Sequence, residues 1–543
     1  MNKPGVLARA VPLAAGALGV VATVFLVLGI LRLNDPPSPK PDRDPGPGPT
    51  TSAMPSARPL PDNADVVELP LGADLQAIVD EHPPGTHYRI AAGLHREQEL
   101  LPKPGDVFVG EPGAVLSGAR DISAEAVDWQ QEGRWWVLEG QTQEGEDHGE
   151  IAEGGNMRDA RPEELFVDGE RFEHVASVNE LAAGRWFFDY AADRIWIGED
   201  PSTLGLIETS AAAAAIAGEN VDDVTVSDIT VEKYANRSSF GAINGLHSFG
   251  WQVRNCTARD NHGAGVSVGP GGLIEGCEIH GNGQLGLKVV GVIRRGADQG
   301  VSAPVSVRRN SIHHNRMLDY DNSWEAGALK IAECHQGVLF EENWVHDNDG
   351  PAVWFDVYNR AATIRGNLIE RNRAHGIFYE LSYGPTTIAD NVVRHNGEPD
   401  ADFPWASGIF VSNSRDVTVE GNVVYGNARG GISARSAGHR DPLVRNLVVR
   451  DNDIAFDGGF NGITLDRGAP GETFNTFGNR FEDNRYWTSS GSGGFAWAGS
   501  TSLPWSQGQS HGNDIDGALE EGPHDLDATT PLVTDLHFGA PRE

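Results

Sequence analysis

The sequence predicts an all-β chain wound as a right-handed parallel β-helix solenoid, with a helical cap at its N-terminal end and a small β insertion. Three observations carry that prediction. Asparagines recur in pairs five residues apart, at Asn310/Asn315, Asn343/Asn348, Asn367/Asn372, Asn391/Asn396, Asn422/Asn427 and Asn479/Asn484. An apolar residue lies inside each pair (Ile312, Val345, Ile369, Val393, Val424, Phe481), and a Gly-Ile signal often follows. The period is about 20 to 33 residues with several short strands per unit, the pattern of coils that bury their apolar faces only by stacking. Asparagine suits a stacked corner because it tolerates left-handed backbone and its amide can bond to the identical amide one coil along.

Earlier coils keep the register with substitutions. Cys256/Asn261 and Cys277/Asn282 carry cysteine at the first ladder position, Asp228 occupies it in a coil lacking the second asparagine, and the coil at Asn446 ends on Asp451. On these residues the chain resembles the pectin-lyase-like superfamily of parallel β-helix proteins over about 206–490. The resemblance specifies a fold better than a reaction.

The elements follow in chain order. Residues 10–31 carry no charge between Arg9 and Arg32, and at about 1.5 Å per residue they span about 33 Å, enough for a bilayer. No small-residue cleavage site is evident after Leu31, so an uncleaved anchor is expected, with a cytoplasmic N-terminus and the remainder displayed outside the membrane; cleavage would leave it secreted. Residues 34–63 form a Pro-rich, semi-rigid spacer. Residues 64–124 read as the cap and first coils: Leu75, Ile78 and Val79 share one face of a short helix after Asp74, a candidate N-cap. Residues 125–205 break the rhythm with hairpin-like strands (LFVDGERF, GRWFFDY, DRIWIGEDP). They resemble the β-insertion that flanks the groove in several β-helix carbohydrate-active proteins. Trp135, Trp136, Trp186 and Trp196 within it suit either sugar stacking or a small core. The main solenoid is expected over 206–490 and an irregular cap or tail over 491–543.

The net charge of −35 disfavours nucleic acid and anionic lipid headgroups as partners. Three cysteines make no disulfide framework. Cys256 and Cys277, stacked side by side, read as small buried residues, and no zinc site is expected.

Alternation along the strand at the Gly-Ile signal turns sequence into a surface map. Inward positions are Leu287/Val289, Leu329/Ile331, Val353/Phe355, Ile377/Tyr379, Ile409/Val411, Ile432/Ala434 and Ile463/Leu465. One outward row then runs Lys288, Lys330, Trp354, Phe378, Phe410, Ser433, Thr464, and the next runs Val290, Ala332, Asp356, Glu380, Ser412, Arg435, Asp466. Three large aromatics on successive coils are costly to leave bare, so either a loop covers them or a ligand uses them. The inserted EPDADFPWAS (398–407) is the candidate cover.

Asp356 and Glu380 fall at one strand position on adjacent coils, about 4.8 Å apart at Cα. Two such carboxyls are what glycoside hydrolysis needs, one as acid and one as base or nucleophile. The expected site therefore has Asp356 and Glu380 as the catalytic pair, and Lys330, Trp354, Phe378, Phe410 and Arg435 against a polysaccharide or other glycan. No cofactor is required. A second reading follows from the superfamily resemblance: lyase or epimerase chemistry with Lys330 as base and calcium held by Asp356 and Glu380. A third is a glycan-binding or wall-associated solenoid without chemistry. Weaker candidates are the row His280, His313, His346, read as solvent-facing, and the oxygen-rich DYDNSWE loop (Asp319, Asp321, Asn322, Glu325). The chain is expected to act as a monomer.

Overall fold

Each full coil lays one strand in each of three parallel sheets. In one coil these are Val338–Glu341, Trp344–His346 and Val353–Phe355. The first sheet has 13 strands, from Val66–Leu69 to Arg480–Glu482; the second has 13, from Gly93–Arg96 to Ala518–Glu521; the third has 12, from Ile216–Ala217 to Ser500–Leu503. All pair in parallel except the last strand of the third sheet, which returns antiparallel. The computed structural model describes residues 66–293, 301–398, 406–436, 443–465, 477–488, 494–498 and 500–522, with 524 and 526. The apolar segment 10–31 and the spacer 34–63 lie outside the described residues. Among the described residues no helix is long and apolar enough to cross a membrane.

The asparagine ladder is real and fully hydrogen-bonded. Asn343 Nδ2 donates to Asn367 Oδ1 at 3.1 Å, and Asn367 Nδ2 donates to Asn391 Oδ1 at 2.8 Å. Each Oδ1 also accepts the backbone N–H of the asparagine one coil back, as Asn391 does from Asn367 at 3.1 Å. A second column runs Asn261, Asn282, Asn315, Asn348, Asn372, Asn396, Asn427. From Ser311–His313 to Val423–Tyr425 the two columns bracket each strand of the second sheet. Buried amides satisfied on both sides stiffen the stack, because the low local dielectric strengthens each bond and penalises any gap.

The left-handed residue is not the asparagine but its predecessor. Glu342 (φ 55°), Asp347 (φ 53°), Arg371 (φ 55°), Asp390 (φ 54°) and His395 (φ 55°) each turn a corner just before a ladder asparagine. That corner swings the amide inward. Asp228 (φ 59°) belongs to this left-handed row, bonded to Asn255, and Ile229 holds the ladder position assigned to it.

The C-terminal coils depart from the expected register for a related reason. Asn422 hands on to Asn452, Asn452 to Asn484 and Asn484 to Asp514, all in the first column. Asp451 is the left-handed residue before Asn452, while Asn446 is exposed and off the ladder. Asn479 and Asn484 bracket the first-sheet strand Arg480–Glu482 rather than a second-sheet strand. Short strands in both sheets give the same five-residue interval, so spacing alone does not say which corner is meant.

The inward residues form one continuous core: Val353, Phe355, Ile377, Tyr379, Ile409 and Val411 are all fully buried. Ile463 pairs with Ala434, not Ile432, a two-residue slip that preserves alternation and so is invisible to an apolar pattern. The Gly-Ile glycine answers to close approach. A Cβ at Gly376 would lie 2.4 Å from Val393 Cγ1 and 3.1 Å from Asn396 Nδ2, and one at Gly408 would lie 2.6 Å from Asn427 Nδ2. Cys256 and Cys277 are free and buried.

The helix Leu75–Glu81 caps the N-terminal end as expected, with Asp74 accepting from Ala77 N–H and Leu75 and Val79 buried. The insertion builds a four-stranded and a five-stranded sheet around Trp186, Phe188, Ile195 and Ile197. Trp186 is core. Trp135 lies beneath the Arg134 guanidinium at 4.1 Å. A buried polar contact ties the insertion to the solenoid: Glu164 lies 2.6 Å from His262, whose other ring nitrogen is 2.8 Å from the Tyr320 hydroxyl, while Glu208, just past the insertion, pairs with Arg96 at 2.6 Å and with Lys233.

Candidate functional site

The outer face of the third sheet carries the candidate residues. Register places Ser267, Lys288, Lys330, Trp354, Phe378, Phe410, Ser433 and Gly462 in one row. Glu380, Ser412, Arg435 and Thr464 form the next, so Thr464 follows Arg435 and not Ser433. Asp466 lies outside the described residues. Asp356 follows Phe355, the Cα partner of Tyr379, just as Glu380 follows Tyr379. Asp356 lies one residue past the end of its strand, and Glu380 is the last residue of the neighbouring one, so the two carboxyl-bearing residues come from adjacent coils.

The aromatic row is closed. Trp354, Phe378 and Phe410 are exposed by only 4, 3 and 2 % and form a cluster of their own. Trp354 stacks on Phe378 (centroids 5.5 Å), and the His375 ring stacks on Phe410 (4.8 Å). An open platform for sugar rings, the expected role of these three residues, is thus not what they form. Alternation fixes which side of the sheet they face, but not that Lys330 lies over Trp354, that the three rings pack on one another or that His375 stacks on Phe410. Residues 399–405 of the loop expected as cover lie outside the described residues.

Beside the aromatics lies a chain of charges. Lys330 Nζ is 2.9 Å from Asp356 Oδ2, donates to Trp324 O at 2.8 Å and sits 4.1 Å above the Trp354 ring. Asp356 Oδ1 accepts the N–H of Val357 at 2.8 Å. Glu325 lies 2.6 Å from Lys288 and 3.8 Å from Lys330 and accepts the Ser239 hydroxyl. Burial raises the Glu325 pKa, but the two ammonium groups and their hydrogen bonds outweigh it and hold the carboxyl at about 2. Arg435 sits half-buried two coils beyond Asp356's neighbour Glu380. Lys288 and Glu325 were visible in the sequence only as a row member and a loop acid; their pairing joins segments 37 residues apart.

The oxygen-rich loop is spent on protein partners. Asp319 accepts the Asn156 N–H, Asp321 accepts both N–H and O–H of Ser323, and Glu325 takes the lysines. Both Asp356 oxygens are likewise engaged. Among the described residues no group of three or more His, Cys, Asp or Glu converges as a metal site. His280, His313 and His346 do share a row and stack at 4.8 and 4.7 Å, but His346 is buried rather than solvent-facing because Trp344 lies against it at 3.7 Å.

Residues 241–399 and 386–507 match the family model of the right handed beta helix region, so this stretch is a β-helix region of that kind and the chain is a right-handed parallel β-helix protein. A solved structure described as the complex of XylC with xylose is similar at 13 % identity, covering 83 % of each chain, with a TM-score of 0.60. The Azotobacter vinelandii mannuronan C-5 epimerase AlgE6 A-module is similar at 12 % identity over 83 % of this chain and 94 % of that one, TM-score 0.42. A mannuronic acid specific polysaccharide family 6 lyase from human gut microbiota stands at 12 % over 87 % and 94 %, TM-score 0.43. Among curated proteins none matches this chain in sequence. At such identities the likeness is one of fold.

Proposed function

We propose that this chain is a carbohydrate-active β-helix protein of the glycoside hydrolase type, with Asp356 and Glu380 as its carboxyl pair. The observation that carries this reading is the commitment of Lys330. Proton abstraction beside a uronate needs a neutral amine with a free lone pair. Lys330 instead directs its ammonium at Asp356, the Trp324 carbonyl and the Trp354 ring. An ammonium so placed is a hydrogen-bond donor and not a base. Asp356 then acts as the nucleophile or cation stabiliser and Glu380 as the proton donor, the division of labour that glycoside hydrolysis uses. The xylose in the TM-score 0.60 neighbour supports an uncharged sugar. Arg435 and the edge formed by Lys330 border the glycan.

A panel of neutral and uronic polysaccharides and their aryl glycosides tests this. New reducing ends, abolished in Glu380→Gln, are the expected result; ultraviolet-absorbing unsaturated products would overturn it in favour of a lyase. The uncleaved span at 10–31 would display the solenoid outside the membrane. Intact mass of the membrane-extracted protein tests that, a mature N-terminus between 30 and 65 being the contrary result.

A further inference from the structure

After each strand of the third sheet the chain turns a corner toward the first sheet, and that corner has a ladder of its own. Asn359 N–H donates to Ser382 Oγ and Ser382 N–H to Ser414 Oγ, both at 3.1 Å, and all three residues are buried. The next residue on each coil reaches the surface: Arg360, half-buried Tyr383 and Arg415, with Arg445 bridged in parallel to Arg415 on the coil beyond. The Arg360 guanidinium lies 5.1 Å from the Tyr383 ring centroid and the Arg415 guanidinium 4.9 Å from it, while that of Arg445 lies 4.5 Å over Phe477. Four successive coils so present three cations in one line. Strand spacing sets the backbones of Arg360 and Arg415 about 9–10 Å apart along the axis, and that of Arg445 about 5 Å further.

These cations lack the partners that arginines on the neighbouring faces have. Arg365 lies 2.7 Å from Glu341, Arg371 2.9 Å from Asp347, Arg373 2.9 Å from Asp349 and Arg450 2.5 Å from Glu420. Among the described residues Arg360 and Arg445 make no ion pair, and Arg415 has only its chain neighbour Asp416, at 4.0 Å. Asp416 itself already takes the Asn446 amide at 2.7 Å. In a chain of net charge −35 acids are plentiful, and like charges on neighbouring strands cost stability. The corner stays positive all the same. Stacking covers the flat face of a guanidinium but leaves the N–H donors in its plane for an oxyanion.

We infer that Arg360, Arg415 and Arg445 form an anion-binding stripe for an acidic glycan, with uronate carboxylates or sulfate esters set at intervals along the solenoid axis. Both groups present oxygens that a guanidinium fork bonds in pairs. Screening decides against a denser polyanion. The field of the stripe reaches about 8 Å at physiological ionic strength, so it acts only on groups seated on it. A nucleic-acid duplex, with one charge per about 1.7 Å, sets most of its charge against the acidic remainder of the surface. A glycan with an acid on some of its units does not. An uncharged unit at Asp356 and Glu380 is compatible with this, the acid being carried by another unit or a branch. That the anion belongs to a glycan rests on the glycan-directed reading of this chain; the stripe itself requires neither Asp356 nor Glu380.

Isothermal titration of the full-length chain with oligogalacturonate, sulfated dextran oligosaccharide and neutral xylo-oligosaccharide of matched length tests the stripe. At least one acidic oligosaccharide should bind, more weakly as salt rises, and which one binds names the anion. Arg360→Gln/Arg415→Gln/Arg445→Gln should weaken that binding at least about tenfold and leave any affinity for the neutral oligosaccharide unchanged. The matching triple Lys variant, which keeps the charge but not the fork, should recover part of the loss. All three side chains are exposed, so circular dichroism and the unfolding midpoint should match wild type. Binding of neither acidic oligosaccharide, or equal binding by the Gln variant, overturns the inference. A glutamate oligopeptide that binds the same arginines as tightly as the glycans also overturns it, making the partner a peptide. If acid-dependent binding is found and no glycosidase activity appears, the hydrolase reading fails and the stripe stands. Cleavage of neutral glycans without any acid-dependent binding is the reverse result.

Discussion

Lys330 Nζ and Asp356 Oδ2 form a 2.9 Å ion pair across adjacent coils of the third sheet, with the ammonium also lying over the Trp354 ring. The pair links the closed aromatic row to the acidic row beside it. The Trp354 indole N–H finds no acceptor among the described residues.

Removing that cation should be costly to turnover. Lys330→Met leaves Asp356 with only the Val357 N–H and leaves Glu325 with one lysine in place of two. Under the hydrolase reading kcat should fall at least about tenfold, with KM changed less, because the interaction acts on the reacting carboxyl rather than on sugar binding. Lys330→Arg should recover part of it. Steady-state kinetics on the substrate found by the panel decide the matter, and unchanged kcat in the Met variant would remove Lys330 from the mechanism.

The ladder predicts where the solenoid is brittle. Asn391 accepts from Asn367 N and Nδ2 and donates to Ile364 O (3.0 Å) and Asn422 Oδ1 (2.9 Å). Asn391→Ala removes all four bonds and orphans the Asn367 N–H and the Ile364 carbonyl, at about 1–3 kcal/mol each when no water enters, while Asn422 Oδ1 keeps the Asn391 N–H and Asn367 Nδ2 keeps the Phe340 carbonyl. A total loss of about 3–5 kcal/mol is expected by denaturant unfolding. Asn446→Gly, which removes an exposed side chain's single bond to Asp416 without straining its left-handed backbone (φ 51°), should cost less than about 1 kcal/mol. Equal losses at the two positions would show that the ladder is not what holds the corner.

Much of this fold was readable before any coordinates, and the misses have physical causes. Alternation from Leu287 to Ala434 reports burial directly, so the inward face and the stacking of Asn343, Asn367 and Asn391 follow from it. Alternation is blind to slips of two residues, hence Ile463, and the five-residue corner interval is shared by two sheets, hence Asn479. The site was less legible. A strand pattern says that Trp354, Phe378 and Phe410 face outward but nothing of what lies on top of them. A contact such as Ser239 with Glu325, 86 residues apart, has no signature in local sequence.

The stacked imidazoles set an acid limit on stability. Burial, then the neighbouring His313 charge, hold His280 at about 4; burial holds His346 at about 4 despite its bond to Asp347. Unfolded histidine titrates near 6.5, so between pH 6.5 and 4 the unfolded chain binds protons that the stack refuses, and stability falls as pH drops through that window. Asp159, raised to about 7 by burial, works the other way, losing its contribution as pH rises from 3.8 through 7. The histidines act as a coupled group worth roughly 1–3 kcal/mol between pH 6.5 and 4. Denaturant unfolding of His280→Gln/His346→Gln across this range should show a flatter acid limb than wild type; an unchanged slope would mean that the stack opens before it titrates.

The carboxyl pair makes a stereochemical prediction. Under the hydrolase reading, Asp356, just past the strand Val353–Phe355, and Glu380, at the end of Ile377–Glu380, come from paired strands whose backbone spacing of about 4.8 Å is closer to the roughly 5–5.5 Å carboxyl separation of retaining enzymes than to the roughly 6.5–9.5 Å that leaves room for an attacking water. The product should therefore keep the anomeric configuration of the substrate, as read by proton NMR in the first minutes of reaction. Asp356→Asn should lose the nucleophile, and Glu380→Gln the proton donor. Each should reduce turnover by about a hundredfold or more, but in different ways. A substrate whose leaving group is already acidic needs little protonation, so Glu380→Gln should retain far more of its rate on a dinitrophenyl glycoside than on an alkyl one, and Asp356→Asn should fall equally on both. The same leaving-group dependence in the two variants would mean that the roles of donor and nucleophile are not divided between these carboxyls. Inversion of the product would instead place the working distance beyond one coil and point to an acid outside the Asp356–Glu380 pair.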